Sequence, residues 1–404
     1  MSSQTNPPQV HRRRVFYIPG YDPMPPRRYR ELYRTESGLQ AAISGYDISI
    51  SPKSGDGPFG WRVVSFQDGM QVQTDVDVLA WSDIVQDSMS GSVPATYLQL
   101  AHTAWIYLST GALGRLVRLR KGPVIAALYP VGMLLTQLLA ALLVAWGITA
   151  LLWSLVGWLA LVPALAAAYG LLRWFRKIDN RLLAYYLMHD YAYSAQSKGE
   201  TSAELQKRLD SFAGLVQQAL QTEVDEVLIV GHSSGAHLGV SVLSDLIRDH
   251  RVQENGPVLS FLTLGQVVPM VSFLPKAHRL RADLQFLSNS DNLTWVDVSA
   301  PGDGCAFALC DPVSVSGVAG PCKKWPLVLS AAFTKTLSPE RWNALRWRFF
   351  RLHFQYLCAF DQPGTYDYFR ITAGPQTLGE RFKGRTPSKS RIEASVSKYT
   401  SVDA

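Results

Sequence analysis

Five residues near the middle of the chain, Gly231-His232-Ser233-Ser234-Gly235, combine the residue types that nucleophilic chemistry needs. A serine hydroxyl attacks a carbonyl only when an imidazole takes its proton and an acid fixes the tautomer of that imidazole. Glycines stand two positions before and two after Ser233, where a side chain would collide with adjoining backbone if the serine sat on a sharp turn. The preceding run, Val227-Leu228-Ile229-Val230, is uniformly aliphatic, as in a parallel strand buried on both faces. A small-residue segment with helical character follows. Strand, tight turn and helix N-terminus in that order lift the central side chain above a sheet, with backbone N–H groups beside it. The alternative is a glycine-rich strand-to-helix turn of another α/β fold, with no chemistry of its own.

With that strand and helix around it, the pentapeptide resembles the nucleophile elbow of the α/β-hydrolase superfamily, in particular its serine esterases and lipases, which often carry Gly-His-Ser-x-Gly. The resemblance implies an α/β-hydrolase-like body, a mostly parallel sheet flanked by helices, with Ser233 as nucleophile between Gly231 and Gly235. It also implies an oxyanion hole made by the backbone N–H groups of Ser234 and of Tyr21 (or Gly20). The latter lie in Pro19-Gly20-Tyr21-Asp22-Pro23, which closes the strand Val15–Ile18 and otherwise reads as an ordinary proline-bounded turn. In that superfamily the acid and then the histidine follow the serine along the chain. Asp303, between two glycines after an apolar strand, is the expected acid; Asp297, inside that strand, is the second choice. Asp291 and Asp311 read as turn residues. His353 follows both acids and is the expected base, against a structural histidine in a helix from Pro339 to Phe360. His237 lies one helical turn beyond Ser233, His278 precedes both acids, and His232 reads as a shoulder of the elbow.

The positioning elements are legible from patterning. Val258–Gly265 and Leu293–Val298 read as further buried strands, and strand–helix–strand order implies parallel pairing. Arg27–Ile43 and Ser202–Gln221 read as amphipathic helices. Trp61–Phe66 and Val72–Trp81 read as strands joined by a hairpin at Asp68-Gly69. The segment from Val267 to Leu280 is irregular and apolar, suited to line a substrate groove.

Between the two halves of this body lies Gly122–Leu172, 51 residues without one Asp, Glu, Lys, Arg or His. One helix of that length would reach roughly 75 Å, against a hydrocarbon core of about 30 Å. The expectation is a two-helix transmembrane hairpin, spans near 124–145 and 150–172, turning at Trp146-Gly147. Arg115, Arg118, Arg120 and Lys121 precede it, and Arg173, Arg176, Lys177 and Arg181 follow. The positive-inside rule then places both ends, and the catalytic body, on the cytoplasmic side. A pair of cap helices over the site is the soluble alternative.

The domain plan read from these features is a disordered N-terminus (1–10), a first body segment (11–114), the hairpin with its basic flanks (115–181), a second body segment (182–373) and a disordered basic tail (374–404). The chain has 404 residues, 47% hydrophobic, and a net charge of +7 that lies largely in Arg12–Arg14, the hairpin flanks and the tail. No basic-aromatic stripe marks a nucleic-acid partner. Four cysteines are too few for a disulfide scaffold of this length, and the polar start, Met1–Gln9, carries no signal-peptide pattern. The spacing of Asp303, Cys305, Cys310 and Cys322 fits no usual zinc pattern, and neither a P-loop nor a dinucleotide fingerprint is present, so no metal or cofactor is expected. The expected function is a membrane-anchored serine hydrolase acting on an ester or thioester of a lipid or acyl-ester substrate. An acyltransferase on the same fold and a non-catalytic membrane scaffold are the rivals. The oligomeric state is not legible.

Overall fold

The computed structural model describes residues 9–403 apart from positions 54, 56, 90 and 254. Residues 1–8 of the expected disordered N-terminus lie outside the described residues; Val10 donates its N–H to Pro375. The first body segment supplies β1 (Arg12–Ile18), α1 (Arg27–Ser44), β2 (Asp47–Pro52), β3 (Gly60–Gln67) and β4 (Met70–Val78). A helical insert follows: α2 (Ser82–Ser88), α3 (Val93–Ser109), α4 (Ala112–Leu119), α5 (Lys121–Val156), α6 (Leu161–Lys177), α7 (Asp179–Leu182) and α8 (Ala184–Gln196). The chain then returns to the body through α9 (Ala203–Leu220), β5 (Glu226–His232), α10 (Gly235–Arg248), β6 (Val258–Leu264), α11 (Pro269–Ser272), α12 (His278–Asn289) and β7 (Thr294–Ser299). It ends with α13 (Pro312–Val315), β8 (Leu327–Ser330), α14 (Phe333–Thr336), α15 (Pro339–Leu345), α16 (Phe349–His353), α17 (Tyr368–Ala373) and α18 (Leu378–Arg381).

The strands form one mixed sheet in the order β2-β3-β4-β1-β5-β6-β7-β8, parallel from β4 to β8 and antiparallel at the β2-β3-β4 edge. β1 therefore joins the two body segments, paired with β4 on one side and β5 on the other. Strand residues alternate between two apolar layers: Val227 and Ile229 of β5 join the layer with α9, α10 and α12, while Leu228 and Val230 join the layer with α1 and α17. All seven residues of β5 are buried, which explains its unbroken aliphatic run. At the start of this strand Glu226 meets Arg13 of β1 at 2.5 Å, both side chains wholly buried. Ser260 and the Leu378 N–H complete the carboxylate's partners, at 2.6 and 2.7 Å. A buried ion pair survives desolvation only when its remaining lone pairs are met in this way.

The insert departs from expectation in where it turns. Gly147 lies mid-helix, and α5 runs on for 36 residues, about 54 Å, before a reversal at Gly157 (φ 57) and the 3-10 turn Gly157–Ala160. α6 then packs back along α5. Pro123, Val124, Pro130 and Leu134 are buried at the root of α5, whereas Leu142, Trp146, Leu151, Leu155 and Trp158 stand exposed. Lys121–Lys177 is one helical stretch long and apolar enough to cross a membrane, and only 6% of its most apolar window is buried.

The segment 374–403, expected as a disordered tail, is an ordered strap. Its backbone bonds the edge of the body: Ser388 N–H to Val328 at 2.8 Å, Ile392 N–H to Leu309 at 2.7 Å and Asp311 N–H to Ile392 at 2.9 Å. Arg115 and Arg281 clamp it further, donating to the carbonyls of Val396 (3.0 Å) and Ser401 (2.7 Å). These bonds add to the burial of Leu378 and Phe382 in the core, with Ile392 and Val396 packed against it.

Candidate functional site

The turn between β5 and α10 has the backbone of a strained elbow. Ser233 sits at φ 57, a left-handed conformation that a non-glycine residue adopts at a cost of about 1–3 kcal/mol. Its N–H is tied to the Leu264 carbonyl at 2.9 Å, and its carbonyl accepts from Ala236 at 3.1 Å. The glycines on either side are steric requirements. A Cβ at Gly235 would lie 2.0 Å from the Ile18 carbonyl oxygen, and one at Gly231 would lie 2.7 Å from the Gly235 oxygen. The first turn of α10 thus abuts the end of β1. Gly20 also lies close, since a Cβ there would come to 2.9 Å from the Ser233 Cβ.

The loop after β7 carries Asp303 to the same end of the sheet. Its Oδ1 accepts from the Cys305 N–H at 2.9 Å. Its Oδ2 accepts from Tyr356 at 3.0 Å and from His353 Nδ1 at 2.7 Å. Burial alone would raise this carboxyl, but the His353 imidazole and the hydrogen-bond donors outweigh it and hold the group below the usual carboxylate range. Because Nδ1 donates to Asp303, His353 Nε2 is left with a free lone pair. That Nε2 is buried without a hydrogen-bond partner among the described residues, and His353 lines the same pocket as Ser233. His353 ends the short helix α16.

Asp297, the second-choice acid, is elsewhere. It lies mid-strand in β7 opposite Thr263, whose hydroxyl donates to its Oδ1 at 2.6 Å. Burial pushes its carboxyl up to about 7, and it does not line the pocket. The expected shoulder residue, His232, braces the site from behind. Its Nε2–H donates to the His353 carbonyl at 3.0 Å, so its Nδ1 accepts from Tyr17 at 3.3 Å. Burial, with His353 beside it, lowers its pKa to about 3, which keeps the ring neutral in this role. His237 is half-buried, its pKa lowered to about 4 by desolvation, and it lines a different cavity.

The loop after β1 closes the other wall. Trp81 Nε1–H donates to the Pro19 carbonyl at 3.0 Å, and the Tyr186 hydroxyl bonds the Tyr21 carbonyl. Among the described residues, the N–H groups of Tyr21 and Ser234 have no acceptor, and both residues line the pocket with Ser233. Val267, with Met270 and Val271 of the short helix α11 that forms within the segment expected to be irregular, also lines the pocket.

One acid of the site has no counterpart in the sequence reading. Asp190, on α8, lines the pocket near His353, and burial pushes its carboxyl up to about 7, with the His353 charge opposing. A lone acid in the aromatic run Tyr185–Tyr193 is the signal that could have found it. Asp303, Cys305 and His353 bring ligand atoms within 4.8 Å of one another. A metal there would need a thiolate, whereas burial and the Asp303 charge raise the Cys305 thiol, and His353 and Asp303 already satisfy each other. No protein-family model, curated protein or solved structure matches this chain.

Proposed function

We propose that the chain is a membrane-anchored serine hydrolase of α/β-hydrolase type that cleaves a carboxylic ester or thioester. Ser233 Oγ attacks the carbonyl carbon, His353 Nε2 takes the hydroxyl proton, and Asp303 holds His353 in the tautomer that leaves Nε2 free. The N–H groups of Tyr21 and Ser234 receive the oxyanion, and water releases the acyl group by the reverse proton path. The observation that carries this reading is the convergence in one pocket of a strained serine, φ 57, and a histidine bonded to a buried aspartate at 2.7 Å.

A fluorophosphonate probe tests it directly. The wild type should be labelled and Ser233→Ala should not; an unlabelled wild type would overturn the mechanism. Adding an alcohol acceptor to an ester assay separates hydrolysis from acyl transfer by the product formed.

The anchor belongs to the same proposal. The exposed apolar faces of α5 and α6 suit lipid, and the basic residues at both ends of the insert favour a hairpin whose two feet stand on the cytoplasmic side. A reporter fused after Thr400 should be cytoplasmic; one found on the far side would reverse the orientation.

A further inference from the structure

Beside the Ser233 pocket lies a second cavity, of about 280 Å³, enclosed by α3, α4, α5 and α8. No charged side chain lines it; its wall is built from residues such as Leu100, Leu116, Val124, Val131 and Met188. Tyr107, Tyr191 and Met270 line both cavities, so the two adjoin at those side chains. Tyr107 is pinned in that partition by its hydroxyl, which donates to the Met270 carbonyl at 3.0 Å. Its lining also includes Leu108 of α3 and Leu128 of α5, both strongly exposed, and Trp105 of α3 and Ile125 of α5 are exposed as well. The cavity therefore runs from the nucleophile toward the foot of the apolar hairpin. A polar ligand would lose its water there without replacement, whereas a hydrocarbon chain would shed unfavourable hydration.

We infer that this cavity holds the acyl chain of the substrate, a medium-chain fatty acid in ester or thioester linkage that enters from the lipid side. The inference rests on the serine-hydrolase reading and deepens it. A methylene group has roughly the volume of a water molecule, about 30 Å³, so the space suits on the order of nine carbons. The Ser233 Oγ–acyl bond forms as the acyl–oxygen or acyl–sulfur bond breaks. His353 passes the serine proton to the departing alcohol or thiol. Water then adds to the acyl carbon, giving its proton to His353, and the free fatty acid leaves as Ser233 recovers that proton.

The test uses the full chain in phosphatidylcholine nanodiscs with p-nitrophenyl acetate and p-nitrophenyl octanoate. The wild type should prefer octanoate by at least about tenfold in kcat/KM, each buried methylene adding to binding. Ala104→Trp and Ala127→Trp, which fill the cavity from α3 and α5, should erase that preference while acetate turnover and fluorophosphonate labelling persist. Acetate turnover with no octanoate preference, or a preference that survives both substitutions, overturns the acyl site and leaves the hydrolase standing. A chain inert to both esters and to the probe overturns the hydrolase. Calorimetry with octanoic acid on Ser233→Ala reads the cavity without catalysis, so it holds even if the tryptophan variants fail to fold. Saturable binding supports the site, and its absence overturns it.

Discussion

Two turns in this molecule share a backbone angle and nothing else. Ser233 in the elbow and Gly157 at the hairpin tip both sit at φ 57. Around the elbow, a Cβ on either flanking glycine would come within 3 Å of neighbouring backbone. Along the hairpin, a Cβ at Gly132, Gly147, Gly157 or Gly170 would meet nothing within 4 Å. The elbow is thus held by its neighbours in a conformation that costs a serine energy, while the hairpin tip adopts its angle because glycine does so freely. A glycine in the first setting answers to packing, and in the second to the chain alone.

Substitutions that trade on this contrast rank by size. Asp303→Asn should leave the elbow standing but mis-set the His353 tautomer, lowering kcat/KM about 10⁴-fold with ester substrates. Gly235→Val should drive a side chain into the Ile18 carbonyl and destabilise the body by about 4 kcal/mol or more, read from denaturant unfolding. Gly147→Val, in open space on α5, should leave that unfolding unchanged; equal damage from the two would erase the contrast. Leu151→Arg puts a charge on the exposed apolar face of the hairpin. It should weaken membrane insertion by about 2.5–3.5 kcal/mol, seen as release by alkaline carbonate, while probe labelling of Ser233 persists. Were the protein to remain fully membrane-bound, the bilayer would not be what covers that face.

The smallest effect concerns Asp190. Its carboxyl, raised by burial from an ordinary 3.8 to about 7, is neutral in mildly acid solution and ionises beside His353 as pH rises through 7. In the proposed mechanism the anion favours the imidazolium formed during attack, so kcat/KM should gain on the order of tenfold across that range, one unit of interaction being about 1.4 kcal/mol. Asp190→Asn should lose that inflection. The same shift has the opposite sign for stability. The folded chain retains a proton that the unfolded chain releases, so this group's contribution is greatest at acid pH and declines as pH climbs from about 4 to 7. Thermal melts of Asp190→Asn should lack that decline.

The elbow was legible because its requirements are local: four aliphatic residues, two glycines and a helix start lie within eleven positions. The neighbouring strands were legible for the same reason, and Asp68 and Gly69 do form a left-handed turn between β3 and β4. Short elements escaped notice. β8 has four residues, and β2 is an edge strand that alternates only between half-buried and exposed positions. The hairpin's turn was misplaced because hydropathy cannot distinguish two spans from one long helix and a short partner. The polar composition of the strap 374–403 is misleading, since its order comes from backbone bonds to β8 and the loop after β7 and from a few apolar anchors, Leu378 and Phe382. Asp190 gains its setting only when α8 folds across the pocket, a relation that spacing along the chain does not encode.

The position of β1 between β4 and β5 has a consequence for synthesis. On the ribosome, β1 and β4 are complete well before Glu226–His232, β1's partner on its other edge, which is made only after the whole helical insert. At ordinary translation rates the interval is roughly ten to thirty seconds. With α5 and α6 entering the bilayer as proposed, the half-built sheet waits tethered at the membrane, its open edge away from other nascent chains in solution. β5 then arrives as the piece that seals it.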